Sequence, residues 1–372
     1  MAGALAIEAG LALLGEELAI RRNVCVWIRD GVVESIEGAS TCPPTRLGGE
    51  NRLLLPQPAN AHVHSGDFAF PEYGIGLNLE ELVAPPRGLK HLLLARTPRD
   101  KLLAAIEAFY LWAWRVGTGL LADFREGGGE GCRVAYEASK RLPPGMEVVI
   151  LGRPGPGWPG ACMGLGLSSP LDVDLKQLVR LASRHRPAGA HVAETRSSRE
   201  AGDLERAIQA KLDFIVHGVH LSKEDLRALG EHGIALIACP RSNAWHSLGI
   251  PPLPDAWSEG LVVGIGTDNA GWMPPDIWEE ARYAALSALL RGAPRQVVAR
   301  NVIEAIFVGG YKALRRTPRI VDEGVEAHML LIAAEGRGIL EALDPYWAIV
   351  KRVGADALEA RIDGAAIYRL TP

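Results

Sequence analysis

The middle of the chain alternates short apolar runs with longer stretches whose apolar residues recur every three or four positions. Helical spacing is clearest over residues 101–116 and 276–290. Eight apolar runs between such stretches are candidate strands: 53–62, 119–124, 147–152, 162–167, 188–193, 214–218, 234–239 and 262–267. Strands that alternate with helices are typical of parallel βαβ units, and eight of them predict an α/β fold with a closed (β/α)₈ TIM-like barrel. Residues 153–161 are rich in Gly and Pro and too short for a helix, so we expect an irregular connection there.

The two ends of the chain lack this helical spacing. Residues 4–14, 24–29 and 32–36 read as strands, and Asp30-Gly31 between the last two is a strong hairpin signal. Short apolar runs return at 327–333 and 365–370. We therefore predict a small β-sandwich domain composed of residues 1–52 and 318–372, beside a barrel domain of residues 53–317.

Composition narrows the class of protein. The 372 residues are 48% hydrophobic and 23% charged, as in ordinary globular proteins, and the net charge of −4 gives no basic excess for nucleic acid or anionic membranes. No apolar run is long enough to cross a bilayer. We expect a soluble protein that acts on a small molecule, with no nucleic-acid or membrane partner; a homodimer is left open.

The number and spacing of the cysteines bear on the cellular compartment in which the protein works. The five cysteines form no CxxC pair, and an odd number in a chain of this length argues against a disulfide framework. We therefore expect free thiols and a cytoplasmic location.

Histidines mark the ends of several predicted strands. His62 and His64 lie two residues apart on the first, so strand alternation sends both imidazoles to one side. His191, His217 and Asp268 lie at the ends of the fifth, sixth and eighth strands, which in a barrel meet at the face that carries active sites. Any one of them alone could be a structural polar group. Together, nitrogen and oxygen ligands without a thiolate indicate one divalent ion, zinc first, with iron or manganese as alternatives.

These residues resemble the pattern of the amidohydrolase superfamily. The segment Leu-Leu-Pro-Gln-Pro-Ala-Asn-Ala before His62 is similar to the approach to the HxH motif in that family, although Gln57 and Pro58 depart from the usual glycine. The segment 26–37 is similar to the family's opening hairpin. The resemblance implies a barrel joined to a sandwich built from both chain ends.

Three further motifs resemble the branch of aminohydrolases and chlorohydrolases that includes adenosine-type, cytosine and guanine deaminases. They are His191-Val-Ala-Glu194, Cys-Pro-Arg-Ser-Asn at 239–243 and Gly-Thr-Asp-Asn at 266–269. Binuclear members of the superfamily carry a carboxylated lysine on the fourth strand. The predicted fourth strand has no lysine, which favours a single metal ion.

The resemblance implies a role for each residue of the site. The metal ligands are His62, His64, His191 and Asp268. The catalytic residues are Glu194, which would shuttle a proton, His217, which would hydrogen-bond the water or oxyanion, and Asp268, which would take a proton from the water.

Residues on the adjoining loops are candidates for substrate binding. Arg87 and Lys90 follow the first strand and are able to meet a polar or anionic group, while Asn269 follows the metal ligand of the eighth strand. Trp245 and Trp272 offer aromatic faces to a flat heterocycle. An ordinary solvated loop and core packing are the alternatives for these positions. We expect His246, among the remaining histidines, to be a structural or surface residue.

Three functions fit this reading. The first is hydrolytic deamination of an amino-substituted heterocycle of nucleoside or nucleobase type. The second is hydrolysis of a cyclic amide, as in imidazolonepropionase-like enzymes, or removal of chloride at the same kind of site. The third is a catalytically silent binding protein. The HxxE spacing and the Ser242-Asn243 pair favour deamination.

Overall fold

A computed structural model of the chain describes residues 5–370, so the predicted strand start at residue 4 lies outside the described residues. Its strands form two sheets, one of seven and one of nine strands. The strands of the first sheet are β1 (Leu5–Leu14), β2 (Ala19–Arg29), β3 (Val32–Gly38), β4 (Leu47–Pro56), β14 (His328–Ala333), β15 (Leu358–Asp363) and β16 (Ala366–Arg369). Those of the second sheet are β5 (Ala59–His64), β6 (Leu120–Arg125), β7 (Glu147–Gly152), β8 (Gly164–Leu167), β9 (Ala188–Val192), β10 (Phe214–His217), β11 (Ala235–Ala238), β12 (Val263–Ile265) and β13 (Asp268–Asn269).

The second sheet closes into the predicted eight-stranded barrel. Its strands are parallel and follow chain order from β5 to β12, while β13 pairs with β5 through Asp268 and Val63. The strands β12 and β13 are therefore two halves of one eighth strand, interrupted at Gly266-Thr267. A Cβ at Gly266 would lie 2.6 Å from the backbone nitrogen of His62, so only glycine lets the two strands approach this closely. The (β/α)₈ fold is confirmed.

Fourteen α-helices lie among the described residues. They are α1 (Leu79–Val83), α2 (Leu89–Arg96), α3 (Arg99–Arg115), α4 (Gly128–Ser139), α5 (Leu175–Arg184), α6 (Arg196–Glu200), α7 (Asp203–Gln209), α8 (Lys223–Glu231), α9 (Pro240–Trp245), α10 (Leu253–Ser258), α11 (Ile277–Leu290), α12 (Arg295–Glu304), α13 (Gly310–Ala313) and α14 (Pro345–Arg352). The two helices predicted from spacing correspond to α3 and α11. Within the described part of the chain no helix joins β7 to β8, so the irregular connection is also confirmed.

The predicted first barrel strand is wrong at its start. Its apolar run contains the end of β4, which pairs with β14 in the other sheet, and then β5, which pairs with β6. The strand β4 therefore crosses the predicted boundary between residues 52 and 53, and the division of the chain into domains by residue number stays a prediction.

Both chain ends contribute to the seven-stranded sheet, which corresponds to the predicted sandwich domain. The sheet runs β16-β15-β14-β4-β1-β2-β3, and the hairpin of β2 and β3 turns at Asp30 and Gly31. Both turn residues have positive φ, 51° and 81°, as the favoured two-residue hairpin turn requires.

A buried arginine connects this sheet to the barrel. Arg361 on β15 is fully buried and its Nε donates to Oδ2 of Asp363 at 2.6 Å. Its two terminal nitrogens donate to the carbonyl of Thr118 at 2.7 Å and to Oε1 of Gln57 at 2.9 Å, at the starts of two barrel strands.

The expectation of free thiols is wrong for four of the five cysteines. Cys25 is bonded to Cys42 and Cys132 to Cys162, while Cys239 is free and buried. Disulfides persist in oxidising compartments and also inside the cells of hyperthermophiles. The cytoplasmic location therefore stays a prediction.

Helix length also bears on membrane association. Across residues 5–370 none of the helices combines the length and the apolar character that crossing a membrane requires.

Candidate metal centre

Four side chains from three parts of the barrel converge at the carboxyl ends of the strands. His62 and His64 end β5, His191 lies on β9, and Asp268 begins β13. One ligand atom from each lies within 4.8 Å of all the others. Oδ1 of Asp268 is 3.2 Å from Nε2 of His62 and 3.6 Å from Nε2 of His64, and Nε2 of His64 is 3.2 Å from Nε2 of His191. The predicted ligand set is thus brought together.

Two of the imidazoles are oriented through their second ring nitrogen. Nδ1 of His191 donates to the carbonyl of Leu167 at 2.9 Å, and Nδ1 of His64 donates to Oε1 of Glu126 at 3.1 Å. Each donation leaves the lone pair of Nε2 directed at the shared centre, which is the usual arrangement around histidines that bind a metal.

The residues present fit a metal ion. Both ring nitrogens of His62 are buried and make no hydrogen bond with the described residues, although Nε2 lies close to Asp268. Burial lowers the pKa of His62 and His191, and burial together with Lys90 lowers that of His64 to about 3, so all three imidazoles are neutral and able to coordinate. Three neutral imidazoles with one carboxylate form a site for one divalent ion.

The seventh-strand motif holds two residues of the centre in place. Oγ of Ser242 donates to Oδ2 of Asp268 at 2.5 Å, and Nδ2 of Asn243 donates to Nδ1 of His217 at 3.0 Å. His217 and Asp268 have positive φ, 74° and 64°, at their strand ends. Strained backbone of this kind is concentrated at functional sites.

Glu194 lies beside this ligand set. Its Oε1 is 3.6 Å from Nε2 of His217, and its side chain is 20% exposed toward the cavity described below. Burial raises its pKa above the ordinary value for a glutamate. A carboxyl with a raised pKa holds its proton more readily than an ordinary glutamate, as a general acid must.

A buried ionic cluster lies behind His64. Nζ of Lys90 is 2.8 Å from Oε1 of Glu126 and 3.2 Å from Oδ2 of Asp67, and a terminal nitrogen of Arg153 is 3.2 Å from the same Glu126 oxygen. Burial alone would raise the pKa of Glu126, but Lys90 and Arg153 hold it well below its usual range. Glu126 is therefore an anion that orients a metal ligand.

A cavity of about 300 Å³ opens onto the centre. Trp272 forms part of its wall and is fixed by stacking on Tyr73, with ring centres 4.5 Å apart. The lining residues are His64, Leu79, Glu80, Val83, Ala84, Pro85, Lys90, Arg153, Ser168, Ser169, Asp172, His191, Glu194, Thr195, Ser197, His217, His246, Asp268, Asn269 and Trp272.

The predicted substrate-binding residues divide into two groups. Lys90, Asn269 and Trp272 line this cavity. Arg87 does not reach it and is exposed on its loop. Trp245 is 51% exposed and lines a neighbouring cavity instead.

Sequence reasoning missed several residues of the site. Glu126 directly follows β6, so the strand-end argument that found the histidines would have found it too. Arg153 follows β7 in the same way. His246, which we expected to be a structural or surface residue, lines the cavity and contacts the ring of Trp272 edge-on, with ring centres 4.8 Å apart.

Comparisons with known proteins agree with the metal site described above. Residues 174–332 match the model of the amidohydrolase family. A putative aminohydrolase of Methanothermobacter thermautotrophicus is 29% identical over 94% of both chains. A 5-methylthioadenosine/S-adenosylhomocysteine deaminase of Halobacterium salinarum is 33% identical over 43% of this chain and 38% of its own.

The fold is shared with a solved enzyme. An adenosine deaminase of Xanthomonas campestris with bound zinc superimposes with a TM-score of 0.81 at 16% identity, covering 98% of this chain and 92% of that one. The barrel, its ligand set and the sequence matches are all similar to those of the amidohydrolase superfamily. The chain is a metal-dependent enzyme that acts on a small molecule.

Proposed function

We propose that this enzyme removes an exocyclic amino group from a heterocycle of nucleoside or nucleobase type, releasing ammonia. The observation that carries the proposal is the position of Glu194, a mostly buried carboxyl within 3.6 Å of His217 and facing the same cavity as the metal ligands. Deamination needs a group that first protonates the ring and then the leaving amine, and Glu194 is placed to be that group. The named deaminase relatives support this choice.

We propose that the ion is Zn²⁺, with His62, His64, His191 and Asp268 as its ligands. Zinc accepts such a nitrogen and oxygen set, and the adenosine deaminase of similar fold holds zinc. When bound, the ion would lower the pKa of water to about 7 and so supply a nucleophile at neutral pH.

Asp268, His217 and Glu194 each have a different role in the reaction. Asp268, held by Ser242, accepts the proton of the attacking water. His217 accepts a hydrogen bond from Asn243 at Nδ1, which leaves Nε2 as the ring nitrogen able to donate to the developing oxyanion. Glu194 gives its proton to the ring nitrogen, takes one from the hydroxyl of the addition product and passes it to the departing amine, which leaves as ammonia. The proton held by Asp268 then returns to Glu194. Overall, water replaces the amino group, so the ring gains a carbonyl and ammonia is released.

The test is an ammonia-release assay on zinc-loaded enzyme with adenosine, 5-methylthioadenosine, S-adenosylhomocysteine, cytosine and guanine. We expect ammonia from at least one substrate, and Glu194→Gln to lower kcat by about 10²–10⁴-fold because the amide cannot exchange a proton. Glu200→Gln, on the exposed face of α6, is the matched control and should keep full activity.

Two other reaction types are measured in parallel. Chloride release from a chlorotriazine would favour a chlorohydrolase, and a new carboxylate from a cyclic amide would favour ring opening. Ammonia release that is equal in the Glu194→Gln variant would refute the role given to Glu194.

A further inference from the structure

The neighbouring cavity that Trp245 lines is a groove of about 470 Å³ beside the metal cavity. The two spaces share four lining residues, which are Leu79, Glu80, His246 and Trp272. Glu80 is exposed and Leu79 and His246 are half-buried, so the two spaces meet at the mouth of the metal cavity. A substrate whose reacting ring lies at the metal centre would therefore extend into the groove if it carried a substituent.

The shared wall is firmly positioned. The ring of Trp272 stacks on Tyr73, and its Nε1 donates to the carbonyl of Tyr73 at 3.1 Å. His246 contacts the edge of the same tryptophan ring. The passage from the metal cavity to the groove is therefore a fixed feature of the site.

Large apolar side chains of the groove are open to solvent. Trp245 is 51% exposed, Ile75 is 73% exposed and Leu77 is 42% exposed. Exposed apolar residues that occur singly are ordinary, but several around one concave surface mark a binding site. An apolar occupant would gain the free energy of removing this surface from water.

The backbone holds these side chains in place on the two sides of the groove. On one side, the amide of Leu77 donates to the carbonyl of Gly74 at 3.0 Å and closes a turn that carries Ile75. On the other side, Trp245 ends α9, the helix that also carries the seventh-strand motif described above. The groove is thus built partly from the element that holds the metal centre in place.

Charge restricts which occupant fits. Glu80 is the one charged side chain among the described residues that line the groove. Burial lowers the pKa of His246, so its imidazole is neutral. Lys90 and Arg153 line the metal cavity but not the groove. An anionic substituent would lose its water beside Glu80 and find no cation as a partner.

We propose that the groove is a substrate subsite for an uncharged apolar substituent, an alkyl or aryl chain, on the ring that lies at the metal centre. The chain passes Trp272 and lies among Ile75, Leu77 and Trp245. Trp245 is the residue that selects for it. This inference rests on the proposed function for the kind of ring that reacts, and it adds the chemistry of the part that does not react.

The test is isothermal titration calorimetry of the zinc-loaded enzyme with hypoxanthines substituted at N9, which lack the amino group and are not consumed. The chain is lengthened from 9-methyl through 9-butyl to 9-hexyl. A buried methylene strengthens binding by up to about fourfold, so we expect the 9-hexyl compound to bind at least about tenfold more tightly than the 9-methyl compound. The acid 9-(5-carboxypentyl)hypoxanthine should lose this gain.

Two tryptophan variants locate the chain. Trp245→Ala removes an apolar wall of the groove and should lower the gain from methyl to hexyl at least about threefold. Trp112→Ala is the matched control, because Trp112 is 39% exposed on α3 and lines neither the groove nor the metal cavity. It should leave the gain unchanged.

Three results would overturn the proposal. The first is an affinity that does not rise with chain length, which would mean that the groove holds solvent or is covered by another protein molecule. The second is binding of the acid as tight as that of the 9-hexyl compound, which would locate the chain beside Lys90 and Arg153. The third is an equal gain in Trp245→Ala and the unmutated protein.

Failure of the subsite and failure of the proposed function give different results. Calorimetry needs no turnover, so a gain that depends on Trp245 would support the subsite even if no aminated ring released ammonia. Ammonia release from 9-methyladenine and 9-hexyladenine with equal kcat/KM would support deamination and refute the subsite.

Discussion

Replacing Glu126 by glutamine should weaken metal binding although Glu126 is not a ligand. Its Oε1 accepts from Nδ1 of His64 at 3.1 Å and contacts Lys90 at 2.8 Å and Arg153 at 3.2 Å. The amide keeps the size of the side chain but removes the negative charge that makes the imidazole a better donor of its lone pair. Loss of such a partner typically costs 10–100-fold in metal affinity, and we expect a value in that range, about 1.4–2.7 kcal/mol.

The measurement is a competition titration of the metal-free protein with Zn²⁺ and a chromophoric chelator at neutral pH. Glu137→Gln is the control, because Glu137 is 39% exposed and pairs with Arg99 on the surface. A Glu126→Gln variant that folds and binds zinc as tightly as the control would refute the claim that Glu126 orients His64.

Three other changes give separate expectations. Ser242→Ala removes the hydrogen bond to Asp268 and should lower kcat about tenfold with unchanged metal content, measured by steady-state kinetics and elemental analysis. Arg361→Met leaves Asp363 without its buried cation and should lower the free energy of unfolding by about 3–5 kcal/mol, measured by chemical denaturation. Alkylation of the denatured protein should label only Cys239 before reduction and all five cysteines after it, as read by mass spectrometry.

The controls for these changes lie on the surface. Ser183→Ala removes an exposed hydroxyl that only bonds its own helix, so kcat should not change. Arg29→Met breaks an exposed ion pair with Glu34 and should lower the free energy of unfolding far less than Arg361→Met does. Equal losses of stability in the two arginine variants would contradict the importance of the buried cation, and five labelled thiols before reduction would contradict both disulfides.

The barrel and its ligands were predictable because two independent patterns agree. The apolar runs give the strands, and His62, His64, His191 and Asp268 all lie at their carboxyl ends, where a parallel barrel brings side chains together. The sequence did not reveal that β4 and β5 are separate strands, because one apolar run continues through both. Pro56 and Pro58 could have indicated the break between the two strands, since proline lacks the N–H that a central strand needs.

Contacts between distant segments were beyond the reach of the sequence. Cys132 lies on α4 and Cys162 before β8, and only the fold brings them together. Lys90 was a candidate for binding an anionic substrate group, yet its partners are Asp67 and Glu126, which spacing along the chain does not reveal. Trp245 and Trp272 follow successive strands in similar contexts, but only the packing of Trp272 on Tyr73 brings its ring to the cavity.

The central claim is that His62, His64, His191 and Asp268 bind one divalent ion. It is tested most directly by anomalous X-ray diffraction at the zinc edge on crystals of the zinc-loaded protein. We expect one peak with all four side chains at bonding distance, about 2.0–2.2 Å. A map without a peak between these residues, or with the ion held elsewhere, would contradict the account.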